Sequence, residues 1–485
     1  MIIDLQRIIN SRQALTLASV PNGFVPLLLA DLTRAAKTRT LYIAPDESAM
    51  RAIADATPFF APELEILILP GWDCLPYDRA SPSVAVTSQR MATLQALQQP
   101  TKKKQLVVTT IGAVIQKYVT PFRIRQTGER LAASREISRE RLASLLQSNG
   151  YFRVDTVADA GEFAIRGSIV DLFPAGSEVG LRLDFFGDEI ESIRRFNPSD
   201  QRSIDQVDHF NILPAVEALM DEEAIKRFRT GYRERFGVTA TGDPLYQAVS
   251  EGRRLSGMDH WLPLFEERMA TIFDHVGADA LIIRDSGAIA AGQSRLDAIT
   301  DYHENRVKAQ AAEPGSYRPL PPEMLYLSGD ELYQLFADNA AHLLTPFAQP
   351  DSASIIDFGI SAARDFAPER AQKTNVYEAV AAHLKSLHAS KTKTVIASYS
   401  VGARERLKGL LADHKAPTII LVDSWQQALG VAAGQTAMVV LPLDHGYTTP
   451  DLVVLSEQDM LGDRLVRRQK RRKSNDAFLA ELAAL

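Results

Sequence analysis

The sequence predicts an α/β protein of several domains, in which a small α+β module interrupts one α/β layer and a separate small α/β domain follows. Three observations predict it. The 485 residues exceed what one hydrophobic core organises, since domains usually hold about 100–200 residues. Apolar runs rich in Ile, Leu and Val alternate with helical patterns, which is βαβ grammar. In the middle of the chain this texture gives way to alternating strands joined by glycine-bearing turns.

Taken in order, RTLYIAPD reads as a buried strand, DESAMRAIADATPFF as a helix, LEILILPGW as a strand and QLVVTTIGAVIQ as a strand entering a helix. Pro70, Pro76 and Pro82 punctuate the loop between them before a helical pattern resumes over Ser83 to Leu97. Residues 1–122 thus form the first part of an α/β layer. Residues 123–214 form the inserted module: SREISRERLASLLQSNGY carries Ile137, Leu142, Leu145 and Leu146 at helical spacing, and FAIRGSIVDLFP and GLRLDFFGDEIESIRRF follow as antiparallel strands. Residues 215–345 return to helices and short strands that complete the first layer. After a linker near FAQPDSAS, residues 351–458 repeat the α/β pattern through KTVIASYS, VGARERLKGLLADH, PTIILVD, AMVVLPLDHG and DLVVLSEQD. Residues 459–485 form a basic linker or helix.

Composition narrows the function classes. With 46% hydrophobic and 24% charged residues the chain is globular rather than globally disordered. Its first twenty residues lack a secretory pattern and no apolar run reaches the roughly 18 residues of a membrane span, so a cytoplasmic location is expected. The single cysteine, Cys74, excludes an internal disulfide and a cysteine-cluster metal site, and reads as an apolar filler beside Trp72. A net charge of -6 gives no global attraction to nucleic acid. The nine histidines show no metal spacing, and His383 and His388 stand five apart on a helix, off a common face. No Ser-His-Asp or Cys-His arrangement can be read with any specificity.

Repeated βαβ units make a nucleotide fold the first enzymatic hypothesis, and its test is a glycine-rich loop ending in Lys and Ser or Thr. The corresponding stretch is ASVPNGFVPLLL, where Gly23 is the only glycine and no lysine follows to reach phosphates. Asp46 and Glu47 after the next strand serve equally well as helix N-terminal residues. No catalytic residue, cofactor or metal is therefore expected for this chain.

The most informative segment is GEFAIRGSIVDLFPAGSEVGLRLDFFGDEIESIRRF. In LRLDFF the period of two puts Leu181, Leu183 and Phe185 on one face and Arg182, Asp184 and Phe186 on the other. If the first set faces the core, Phe186 stands exposed beside Arg182, an aromatic and arginine pair of the kind that anchors partners, and one partner pocket engages both. Arg166, before the bend at Gly167, can join that face. The alternative is that Phe186 packs under an adjoining domain and the arginines pair with Asp184 or Glu162.

This segment resembles the UvrA-binding module shared by the repair protein UvrB and the transcription-repair coupling factor (Mfd) family. LPGWDCLPYDRASPSVAVTSQR resembles the matching piece of the first domain, and LSEQDMLGDRLVRRQ the stretch before the polymerase-binding domain of Mfd. The resemblance runs in order along nearly the whole chain. It implies a UvrB-like, degenerate helicase-type α/β domain, with an inserted α+β UvrA-binding domain and then a separate small α/β domain. By motif position the UvrA contacts fall on Arg166, Arg182 and Phe186. The missing phosphate-loop lysine and the short TTIGAVIQKYVTPF, which leaves no room for a DNA-clamping hairpin, favour Mfd over UvrB. The implied role is in transcription-coupled nucleotide excision DNA repair: recruiting UvrA to RNA polymerase stalled at DNA damage. RNA polymerase, double-stranded DNA, ATP and magnesium would engage domains of a longer parent, of which this chain reads as a fragment. The rival expectation is a divergent ATP-dependent helicase fragment that binds DNA directly. In either case Arg464, Arg467, Arg468, Lys470, Arg471, Arg472 and Lys473 read as a solvated linker whose DNA binding is weak and nonspecific.

Overall fold

The computed structural model describes residues 5–237, 242–312 and 317–462; the basic run from Arg464 to Lys473 lies outside them. The chain divides into two compact units, one of residues 1–16, 31–54 and 63–344, the other of residues 17–30, 55–62 and 345 onward. Residues 17–30 and 55–62, which the sequence pattern assigned to the first layer, thus belong with the later part of the chain.

The strands of the chain are, in order, β1 (Thr16–Ala18), β2 (Arg39–Ala44), β3 (Glu65–Leu69), β4 (Gln105–Thr110), β5 (Glu129–Ala132), β6 (Phe152–Arg153), β7 (Glu162–Arg166), β8 (Ile169–Leu172), β9 (Gly180–Phe186), β10 (Glu189–Phe196), β11 (Ser203–Val207), β12 (His209–Ile212), β13 (Leu281–Asp285) and β14 (His342–Leu344). They continue with β15 (Ile355–Asp357), β16 (Ser361–Ala362), β17 (Lys393–Ser398), β18 (Ile419–Leu421), β19 (Thr436–Val440), β20 (Tyr447–Thr448) and β21 (Leu452–Ser456).

In the first unit β14-β13-β2-β4-β3 run parallel. Their continuous apolar runs are explained by burial on both faces: all six residues of β4 are buried, and so are five of six in β2. The helix Val84–Gln98 starts where the Ser83 hydroxyl accepts the Val86 N–H at 3.4 Å, and it buries Met91, Leu94 and Leu97. It also buries Arg90 completely. The guanidinium meets Glu217 through Nε at 2.7 Å and Nη2 at 3.1 Å, and its Nη1 donates to the Pro70 carbonyl at 2.7 Å. Trp72 Nε1 donates to the same carboxylate at 2.7 Å, and the cation lies 4.7 Å over the Tyr118 ring. Both charged side chains have zero exposure, so this pair ties the helix before the insertion to the chain returning after it inside the core.

The insertion is closed at its root by β5 pairing antiparallel with β12. Its helix, Arg139–Ser148, is shorter than the sequence pattern predicts, because the Ser138 hydroxyl takes the Arg141 N–H at 3.2 Å and fixes the start there. Ile137 is buried all the same, held by its N–H on the Asp188 carbonyl at 2.8 Å. Leu142 and Leu146 pack from this helix against Phe163, Val170, Leu183, Phe185 and Ile190 of the insertion's own core.

In the second unit β1 neighbours β15, and the sheet β16-β20-β21-β17-β19-β18 is parallel over its last four strands. Its core gathers Leu384, Ile396, Leu407, Met438 and Leu455. Cys74, in the first unit, is half-buried against that unit's large core, with burial pushing its thiol up to about 12. Among the described residues no helix is long and apolar enough to cross a membrane.

Candidate partner-binding site

The site is one face of the insertion's six-stranded sheet, ordered β11-β10-β9-β8-β7-β6. Alternation along β9 sorts its side chains: Leu181, Leu183 and Phe185 are buried, Arg182 and Asp184 half-buried, and Phe186 is 79% exposed. The inner set faces the insertion's core. Phe186 ends the strand at a hairpin tip, paired with Glu189 across Gly187-Asp188. Gly187 takes φ +63°, with no atom within 4 Å of where a Cβ would stand, so the turn needs glycine for its left-handed backbone and not for space.

Register places an acid between the two arginines. Asp171 on β8 sits opposite Arg182 on β9 and opposite Ala164 on β7, one pleat from Arg166. Its carboxylate is fully buried and accepts Arg182 Nε at 2.7 Å, Arg182 Nη2 at 3.0 Å and Arg166 Nη2. Arg182 also lies 4.9 Å over the Phe196 ring, and the hydrogen bond to Asp171 raises its pKa. The exposures differ: 49% for the Arg166 side chain and 17% for that of Arg182.

The alternative pairings do not form. Asp184 is occupied by Arg194, through Nη2 at 2.7 Å and Nε at 3.1 Å, and by Ser192 Oγ at 2.9 Å. Glu162 accepts the backbone N–H groups of Ala158 and Asp159 at 2.8 and 2.9 Å. The single pocket for Arg182 and Phe186 needs correction too. Four residues along a strand span about 13 Å, so the three residues lie along a strip from the Arg166–Asp171–Arg182 cluster to the hairpin tip. The sequence reading missed Asp171, Phe196 and Arg139, whose Nη1 reaches the Gly167 carbonyl at 2.6 Å. The signal for Asp171 was present in IVDLFP, where it falls on the face opposite Val170 and Leu172.

The strip lies within residues 130–217, which match the family model of the UvrB interaction domain, and residues 387–460 match that of the MFD D3 domain. The transcription-repair-coupling factor of Escherichia coli (strain K12) is 32% identical over 468 residues, 94% of this chain and 39% of that protein. The protein of the same name from Haemophilus influenzae is 27% identical, over 97% of this chain and 40% of its own length, and that of Myxococcus xanthus 28%, over 93% and 39%. The chain is similar to transcription-repair-coupling factors over nearly its whole length. It spans 39% and 40% of the length of the first two relatives, so it corresponds to a portion of the longer coupling factors.

In this chain the stretch after β1 is a short 3-10 turn over Asn22–Phe24 leading into the helix Val25–Ala35. A Cβ on Gly23 would stand 1.9 Å from the His445 carbonyl oxygen, so that carbonyl already fills the space against the turn. Phe24 closes the same spot, meeting Tyr447 edge-on at 5.1 Å and Phe358 at 6.4 Å. His445 Nδ1 lies 3.1 Å from Asp459 Oδ1, and that hydrogen bond raises the imidazole pKa. The other oxygen of Asp459 accepts the N–H groups of Gly446 at 2.7 Å and Ser456 at 3.0 Å.

Proposed function

We propose that this chain is the recruitment module of a transcription-repair coupling factor, binding UvrA through the strip of Arg166, Arg182 and Phe186 and carrying no motor of its own. The observation that carries this reading is Phe186, 79% exposed at a hairpin tip on the sheet that matches the UvrB interaction domain. A large apolar ring held in water on a well-packed strand stabilises the fold little, and with a half-exposed arginine on the same face it has the composition of an interface anchor. In the longer coupling factors, RNA polymerase, double-stranded DNA, ATP and magnesium engage other parts of the protein. The present chain uses no cofactor and delivers excision repair to the polymerase stalled at damage.

Titration of UvrA against the purified chain and against Phe186→Ala tests the reading: tight binding that collapses in the variant is expected, and equal binding by both overturns it. The motor half of the proposal is tested separately. Magnesium-ATP is expected to leave the melting temperature unchanged, since the Gly23 turn offers no lysine and faces a carbonyl acceptor rather than phosphate-binding donors. A saturable rise in Tm, or DNA-stimulated turnover by homogeneous protein, supports the helicase-fragment rival instead.

A further inference from the structure

We propose that Asp171 is a positioning residue of the UvrA-binding strip: it aims the Arg166 guanidinium and allows it to stand beside Arg182. The inference rests on the reading of the strip given above. β8 lies between the strands carrying the two arginines, and its Asp171 carboxylate is fully buried with both oxygens taken by guanidinium hydrogens. Two guanidiniums converging on one point repel each other unless a counter-charge lies between them. With Asp171 the group carries two positive charges and one negative, and both arginines are attracted to the same place.

The arginines depend on it unequally. Arg182 is also held over Phe196 at 4.9 Å and reaches the Gln201 carbonyl at 3.4 Å. For the Arg166 side chain, Asp171 is the only hydrogen-bond partner among the described residues. One nitrogen of its planar fork is thereby fixed while the half-exposed remainder stays available to acceptors on a partner. Ordering a long side chain before binding removes a cost that complex formation would otherwise carry. Loss of the carboxylate adds a positive charge to the face, which does not slow encounter with an acidic surface, but it releases Arg166 and speeds dissociation.

The test is a set of UvrA binding kinetics on the whole chain, with thermal melts alongside, for wild type, D171N, R166A, D171N/R166A, R166K and F186A. D171N is expected to weaken affinity about tenfold, nearly all in the dissociation rate. Because Asp171 acts through Arg166, adding D171N to R166A should weaken binding by no more than about twofold further. R166K, which keeps the charge but not the fork, is expected to lose most of what R166A loses, and it decides between the outcomes if D171N does not fold. Wild-type binding by D171N or R166K, or losses from D171N and R166A that simply multiply, would overturn the proposal. If F186A also binds as wild type, the strip itself has been misassigned; if F186A alone fails, only the role of Asp171 falls.

Discussion

Two of the arginine–carboxylate clusters in the first unit are built from the same chemistry and put to different uses. Around Arg90 and Glu217 everything is sealed, with both side chains at zero exposure and the hydrogen-bonding groups supplied by Trp72, Pro70 and the facing charge. Around Asp171 only the acid is sealed, and Arg166 remains 49% exposed. A buried ion pair is expensive to break and adds little beyond what apolar packing would give, so the sealed cluster specifies how the chain rejoins after the insertion. The open cluster keeps charge at the surface with its geometry already set, which suits recognition rather than stability.

The largest effect should come from the sealed cluster. Glu217→Ala leaves Arg90 buried without its counter-charge and should cost about 3–5 kcal/mol in thermal or denaturant unfolding, with UvrA affinity of the folded fraction unchanged. A loss of stability below about 1 kcal/mol would erase the contrast between the clusters. Leu183→Ala, at zero exposure on the inner face of β9, should cost about 2–5 kcal/mol by leaving a cavity, again with little effect on binding at temperatures where the protein is folded. Phe186→Ala reverses the pattern: stability within about 0.5 kcal/mol of wild type, but UvrA binding weaker by about 2 kcal/mol, roughly thirtyfold, in a titration. If it unfolds as readily as Leu183→Ala, the assignment of the two faces fails.

A third pair, half-open and in the second unit, should give the smallest effect. The hydrogen bond to Asp459 raises the His445 pKa above its ordinary 6.5, so the folded state binds the proton more tightly than the unfolded chain. The stabilisation is fully present below the unfolded value and is lost as pH rises through the higher folded value. His445→Gln should flatten that part of the stability-against-pH curve. The imidazole is 52% exposed and screened by solvent, so the difference should stay below about 1 kcal/mol. A dependence of opposite sign, with stability rising from pH 6 upward only in the wild type, would exclude the protonated pair.

The strand LRLDFF was legible because a period of two is a local property, and one buried face fixes which residues are left outside. The outward position of Asp171 was equally local, but its role was not legible, because its contacts with both arginines exist only once three strands are in register. The expected partners Asp184 and Glu162 were near in sequence but engaged elsewhere, Asp184 by Arg194 on the next strand and Glu162 by a turn of backbone N–H groups. Element types along the parallel strands could be read from their apolar runs. The grouping of residues 17–30 and 55–62 with the chain after 345 could not, since nothing in a local pattern records what a segment packs against hundreds of residues later.

That grouping bears on how the protein is made. The insertion is contiguous and closed by β5 and β12, so all the strands of its sheet are synthesised together. The second unit is not contiguous: Val25, Leu28 and Leu29, all buried in the finished protein, are synthesised long before the segments from Thr345 onward that complete their unit. At about 5–20 residues per second the wait is roughly 15–60 seconds, during which an apolar helix stands without its core and is open to chaperones.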